Sequence, residues 1–577
     1  MQLSYNTRPP DFDYSITMKA KRESRFRAAV ILVALVLVNV TVGAQSSLDS
    51  TIRLKHVAFE NLLNSRWQLA ADNYTELTKD NPYDGALWTN LGLSRLRLGE
   101  YNLAVQAFQK ALTNGWSPAT CYYNTACTYA LAGDKRDALN AFEEAYRRGY
   151  INDHQVREDP DLFSLHDDPR FREIAGWPNG AITDRREQWI CDLDFLARRL
   201  REAHWRPFHR ITESQFETQV ERIRQSIEQS TDDQLWLAVQ ALLVSIGDGH
   251  TTIVSDYFLH RHGEVGYDLK FLPIGLFWFD DGVRIVETTD SLRRFLGSRV
   301  VAIGDTTVEQ VIKVVDTYTS RDNDWGARWG IANALTDVRL LTRLGLGDRN
   351  RGIQYTLEMG DGTTCSVIFP PGGLDVLKRI TLAETSGQPV APSYKAKEKR
   401  LFLAPIKSTL YVRIDAITDT PEESFAEFTE RIFRTGDSVG AKRLVLDLRD
   451  NPGGSGHLAR DLLHRLIASP KFNVPGSLYV LVGRKTFSAA MALAAQLEFH
   501  TAARFVGEPT GSRPNFVGES SIIRLPYSDL HISISSRYHQ NGASNDERLW
   551  IAPDIPAGPT FEDMQGGRDR ALELVLY

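Results

Sequence analysis

The sequence predicts a multidomain fold, an all-α repeat array followed by an α/β core, from three observations. A period of 34 residues aligns Ala70, Ala104 and Ala138, then Tyr74, Phe108 and Phe142, then Gly99 and Gly133. Two signatures, Thr212 with Gln215 and Thr231 with Gln234, have the spacing of capping boxes before amphipathic helices. From Thr409 onward, short apolar strands alternate with helical patterns, which implies a sheet with parallel pairs covered by helices.

Each element follows from local chemistry. In the repeats, a small residue marks where two helices touch, an aromatic four positions later shares its face, and a glycine marks the turn. With Trp88, Leu91, Gly92 and Pro82, the segment 54–150 resembles tetratricopeptide repeats. It reads equally as a packed helical spacer or as a groove for a partner protein. Residues 151–182, with Asp159-Pro160, Asp168-Pro169 and Trp177-Pro178-Asn179-Gly180, suit a connector. In 183–255, Trp189, Leu193, Leu196 and Leu200 share one helix face, Phe216, Val220, Ile223 and Ile227 a second, and Leu235, Val239, Leu242 and Ile246 a third, ending at Gly247. Residues 265–370 hold short strands, a Gly304-Asp305 turn and a helix near Val308 to Val315, similar to a PDZ module. The core, 400–577, is predicted to place strands at Thr409 to Ile414, Leu444 to Leu448 and Leu478 to Val482, with helices near Pro421 to Thr435, Leu458 to Ile467 and Ala489 to Glu498.

Composition narrows the function classes. A chain of 577 residues suits about three or four domains. Its net charge of -6 gives no broad basic surface for nucleic acid. Cys121, Cys127, Cys191 and Cys365 are scattered without zinc spacing or disulfide density, so neither metal nor disulfide is needed. His204 and His209 flank Pro207, and no His-Glu-x-x-His helix exists, which argues against a metallohydrolase. No cofactor is expected. Lys19, Lys21, Arg22, Arg25 and Arg27 precede an apolar run from Ala28 to Val40, and Val42-Gly43-Ala44 suits cleavage before Gln45. This reads as a signal peptide within an N-terminal extension, 1–44, and predicts export to a periplasm or the exterior. The alternative is a membrane anchor through 28–40, although that run is short of the roughly 20 residues a span needs.

Three strand or helix ends carry candidate chemistry. Leu446 to Gly454 runs from an apolar strand into a glycine turn whose backbone N–H groups can face a substrate oxygen. Ser488 lies between the strand ending near Gly483 and an alanine-rich helix, close to free N–H groups and the positive end of the helix dipole. His250 sits among small residues in Gly247-Asp248-Gly249-His250-Thr251-Thr252, where a helix stops. Separately these read as a turn, an N-cap serine and a solvated histidine.

Together with Gly507-Glu508-Pro509-Thr510-Gly511 and Ala552-Pro553-Asp554-Ile555, they resemble the S41 family of serine peptidases over about 183–577, a family that includes tail-specific processing proteases and the tricorn-type core. The resemblance implies a crotonase-like α/β core with an embedded PDZ-like segment and a helical subdomain. It implies Ser488 as nucleophile, the N–H groups of Gly454 and Ala489 as oxyanion hole, and Gly453 and Gly511 beside the bound substrate. The substrate expected is a protein or peptide.

The base is the open question. The processing branch places a lysine some tens of residues after the serine, but no lysine follows Lys485 in this chain. The tricorn-like branch uses a histidine in the position of His250 and a glutamate about sixty residues after the serine, where Glu547 stands, with Asp546 as a rival. His457 is a rival base. Met491 replaces a carboxylate common three residues after the serine, and Gly249 stands where the tricorn core has a serine. Two functions follow: an exported serine endopeptidase whose repeats recruit substrate or partner, or an inactive scaffold that binds peptides.

Overall fold

The computed structural model describes residues 47–150, 153–178, 180–261, 269–395, 397 and 399–576. The expected signal segment lies outside these. The chain divides into two compact units, one running to Trp116 and one from Ser117 to Tyr577.

In the first unit, helices Ser47–Leu63, Trp67–Asp80, Gly85–Arg97 and Tyr101–Thr113 stack in antiparallel pairs. Ala70, Ala104, Tyr74 and Phe108 are buried, as the period requires. A Cβ on Gly92 would meet the Phe108 ring at 2.5 Å, so only glycine lets that ring lie against the helix. Asp84 caps the third helix through the N–H groups of Ala86 and Leu87.

The second unit opens with the last repeat, Pro118–Ala132 and Lys135–Arg147. The unit boundary therefore falls inside the repeat array. One reason is Arg199, fully buried, whose guanidinium donates to the carbonyls of Tyr146 and Tyr150 at 3.2 and 2.5 Å and pairs with Glu202 at 2.8 Å. The stretch read as a connector is packed rather than loose. Asp159-Pro160 and Asp168-Pro169 are helix starts in which Asp accepts N–H bonds as N-cap and Pro fills the first helical position. Phe171 stacks on Phe142 at 4.5 Å between centroids.

Helices Arg185–Ala203, Glu213–Ser226 and Asp232–Ile246 follow, the last two opened by full capping boxes at Thr212 and Thr231. Gly247, at φ +90°, stops the third. A mainly antiparallel sheet, built on strands Ile274–Phe279, Gly282–Thr288, Arg299–Ile303, Gly352–Glu358 and Thr364–Phe369, occupies the β-rich region. A hairpin, Phe516–Arg524 with His531–His539, pairs with Thr252–Ile253. One continuous apolar core joins these helices, this sheet and this hairpin.

A second core surrounds a six-stranded sheet in the order 401–406, 409–414, 443–447, 478–482, 504–507, 555–556. The first strand is antiparallel and the rest are parallel. The loops after Asp447, Val482 and Gly507 therefore leave one edge of the sheet together. Helix Phe425–Ser438 starts later than its pattern suggests because Ser424, not Pro421, is the N-cap, in a box with Glu427.

Candidate active site

Ser488 sits on a sharp strand–turn–helix. After Val482, the Thr486 hydroxyl donates to the Leu448 carbonyl at 2.8 Å and accepts from Gly483 N–H at 3.0 Å, tying two strand-end loops together. Phe487 is extended and takes the N-cap position, so Ser488 is the first residue of helix Ser488–His500. Its φ is +51°, an uncommon and costly conformation for a residue with a Cβ. The hydroxyl does not cap the helix. It points to His250, with Oγ 3.0 Å from Nε2. This reach, across 238 residues of chain, is within the distance for direct proton transfer.

The glycine turn packs against the serine. A Cβ on Gly453, at φ +121°, would lie 2.7 Å from the Ser488 Cβ and 3.1 Å from the Ala489 nitrogen. Gly453 is thus buried contact surface, and its own N–H is spent on Asn451 Oδ1 at 2.8 Å. Asn451 also donates to the Ile414 carbonyl and accepts at its own carbonyl from Phe487 N–H, which fixes the turn to both neighbouring strand ends. Gly454, at φ +129°, is exposed and passes close to the Ile417 carbonyl. Among the described residues, the N–H groups of Gly454 and Ala489 have no acceptor, so both remain available to an oxyanion.

His250 is held from three sides. Its ring lies between Phe487 and Phe516, at 4.5 and 5.8 Å between centroids. Gly249 makes the first contact possible, since a Cβ there would strike the Phe487 ring at 2.7 Å. The N–H groups of His250 and Thr251 donate to Asp248 Oδ1 at 2.9 and 2.8 Å, and the His250 carbonyl accepts from the Ser533 hydroxyl at 2.6 Å. Behind it, Asp248 Oδ2 meets buried His204 Nε2 at 2.9 Å, while His204 Nδ1 accepts from Arg206 N–H, which makes Nε2 the donor. Burial pushes the Asp248 carboxyl up, but the hydrogen bond from His204, the Ser535 hydroxyl and the neighbouring His250 hold it well below the ordinary carboxylate range.

Accepting the Ser488 proton at Nε2 requires the tautomer with hydrogen on Nδ1. That atom is buried and has no partner among the described residues. Glu547, expected there, is exposed, and neither hydrogen bond nor ion pair joins it to His250 or Ser488 among the described residues. Its loop is held elsewhere: Arg548 pairs with Asp546 at 2.7 Å and with Glu498 at 2.6 Å. The expectation for Glu547 is therefore corrected, and Asp546 is likewise engaged. His457 bonds to Ser455 Oγ at 2.9 Å instead of to Ser488. Gly511 is also corrected from a substrate contact to a packing position. It is buried, a Cβ would lie 2.1 Å from the Arg484 carbonyl, and its own carbonyl abuts Gly326.

Sequence reasoning missed Asp322, Asp248, His204, Phe487 and Phe516. Asp248 lay within the motif quoted for His250, but the partners on other elements carry no local signal. Among the described residues, the one grouping of potential metal ligands is Cys127, Asp159 and Asp161, where the Tyr123 hydroxyl donates to Asp159 at 2.7 Å.

Residues 408–474 match the model described as Peptidase family S41, and residues 64–117 match that of the tetratricopeptide repeat. A curated relative, a chloroplastic protein from Arabidopsis thaliana, is 29% identical over 122 residues, 21% of this chain, which spans about a third (32%) of that relative's length. Among solved structures, mature CPAF complexed with lactacystin aligns with a TM-score of 0.49 at 12% identity, over 68% of this chain and 98% of that one. The photosystem II D1 C-terminal processing protease aligns with a TM-score of 0.36 at 14% identity, over 67% and 100%. The chain thus carries a stretch similar to peptidase family S41 and, ahead of it, one similar to the tetratricopeptide repeat.

Proposed function

We propose that the protein is an exported serine endopeptidase working through a Ser488 acyl-enzyme. The observation that carries this is the Ser488 Oγ to His250 Nε2 approach of 3.0 Å beside a glycine turn with unspent N–H groups. Oγ attacks a peptide carbonyl carbon while its proton passes to Nε2. The Gly454 and Ala489 N–H groups hold the oxygen that becomes negative. His250 then returns the proton to the leaving amine, and water repeats the sequence to free the acid and Ser488. The absence of any lysine after Lys485 leaves the imidazole as the base in reach. The oxyanion donors are worth roughly 3–4 kcal/mol of barrier.

Ser488→Ala is expected to abolish turnover of an unfolded protein, and a fluorophosphonate probe should label the wild type but neither Ser488→Ala nor His250→Ala. Undiminished cleavage by purified Ser488→Ala would rule the mechanism out. A second reading, a silent scaffold that binds peptides, is favoured by the buried, unpartnered His250 Nδ1 and the displaced Glu547. It predicts no labelling of the wild type. Export is supported by the basic stretch and apolar run before Gln45, and N-terminal sequencing of the mature protein should begin at that residue. A membrane anchor through 28–40 would leave the segment in place. Recruitment of substrate or partner by the repeats is the remaining part of the proposal.

A further inference from the structure

One buried carboxylate beside the dyad has no role in the steps above. Asp322 precedes helix Asp324–Ala334 and is 3% exposed. Its Oδ1 accepts the N–H of Gly249, the residue before the base, at 2.8 Å, and its Oδ2 accepts the Ser512 hydroxyl. Both donors are neutral. Arg210 and Arg513 approach, but each donates to the main-chain carbonyl of Asp322 at 3.3 Å. Among the described residues, no lysine or arginine forms an ion pair with the carboxylate itself.

A buried carboxylate satisfied by two neutral donors is expensive to keep charged. Burial indeed pushes this carboxyl up, and Asp248 adds to the effect, whereas His250 pulls it down. The cost falls at the moment a positive charge forms nearby, which is when His250 holds the Ser488 proton. An interaction that strengthens only then lowers the barrier without tightening substrate binding.

We infer that Asp322 is a positioning residue of the proposed hydrolysis. It clamps the Gly249 peptide, and it supplies the fixed negative charge that stabilises His250 after Nε2 takes the serine proton, the task that Glu547 does not perform in this arrangement. The inference rests on the Ser488–His250 reading. The other charged or titratable groups facing the imidazole are Asp248, with His204 behind it, and His539, which stacks on the far side of Phe516 and lies 3.9 Å from Glu519. Arg210 and Arg513 stand at the Asp322 carbonyl.

Asp322→Asn in the full chain tests it, because the amide oxygen still accepts from Gly249 and the amide nitrogen can donate to Ser512. The expected result is a fall in kcat/KM of roughly 10- to 100-fold, borne by kcat. With the charge gone, protonated His250 is less favoured, so the acid limb of the rate profile moves to lower pH. Ser512→Ala, which keeps the charge and removes one donor, should leave that limb in place or move it to higher pH. It also serves if Asp322→Asn fails to fold. A wild-type rate and limb in Asp322→Asn, or a shift to lower pH in Ser512→Ala, overturns the inference while Ser488→Ala and probe labelling still uphold the dyad. A wild type that the probe does not label removes the dyad reading, and this inference with it.

Discussion

Ser488 carries its hydroxyl on a backbone at φ +51°, and the residues around it are chosen for closeness rather than polarity. Gly453 lets the turn touch the serine, and Gly249 lets Phe487 cover the imidazole. Position 249 is therefore sensitive in a defined way. Gly249→Ala must push Phe487 from its 4.5 Å stack on His250 or move the loop that Asp248 and Asp322 hold. The expected cost is about 1–3 kcal/mol of stability together with a loss of probe-labelling rate. Denaturant unfolding and labelling kinetics measure the two separately. A variant with wild-type labelling would mean that the ring contact is incidental.

Strand ends collect charge as well as catalysis. Asp415, just after strand Thr409–Ile414, has one carboxylate oxygen buried without a partner among the described residues and the other 3.2 Å from Arg413 Nε. Burial raises its carboxyl to about 7, with Arg413 pulling down and Asp450 and Asp447 pushing up. A carboxyl raised on folding is protonated in the native state but ionised in the unfolded chain between about 4 and 7. In that window the native state binds more protons, so stability falls as pH rises. Asp415→Asn mimics the neutral form and should raise the unfolding free energy at mildly alkaline pH by about 1–3 kcal/mol, with little change at mildly acid pH. Arg413 keeps its bonds to the carbonyls of Ser393, Lys395 and Lys399, so the variant leaves no orphaned guanidinium. An equal effect at both pH values would contradict the assignment.

At the scale of the molecule, Ser488 opens a helix whose Ala489 and Met491 lie in one apolar core, while the loop of His250 runs on into Ile253 of the other. Polar stitches hold those cores in register: Asn323 donates to the carbonyls of Thr510 and Leu549 at 3.0 and 2.6 Å, and Arg484 to that of Trp278 at 2.6 Å while pairing with Glu508. The last repeat belongs to the same unit through Arg199. A fragment from Ser117 should therefore label as the full chain does. One from Thr183 loses the Tyr146 ring and the Tyr146 and Tyr150 carbonyls that enclose Arg199 and bares the Phe195 ring that Gly176 covers, so it should melt at a lower temperature. Thermal unfolding of the two fragments decides this. Equal melting temperatures would show that the segment 117–182 is dispensable.

Much of this was legible in the residues, because it is local. The 34-residue period, the capping boxes at Thr212 and Thr231, the glycine stop at Gly247 and the parallel strands at 409–414, 443–447 and 478–482 all depend on neighbours within a few positions. Ser488 and His250 stood out only through the resemblance of the combined motifs to peptidase family S41. The closing hairpin 516–539, the helical packing of 153–175 and the roles of Asp322, His204 and the two phenylalanines did not, because each is defined by contact with a distant segment. The fate of Glu547 was hidden for the same reason: spacing brings a carboxylate near a site, but Arg548 and Glu498 decide which way its loop is held. Order along the chain determined which groups this protein has for chemistry. The meeting of two cores decided which of them touch, since direction and distance between remote side chains are set by packing.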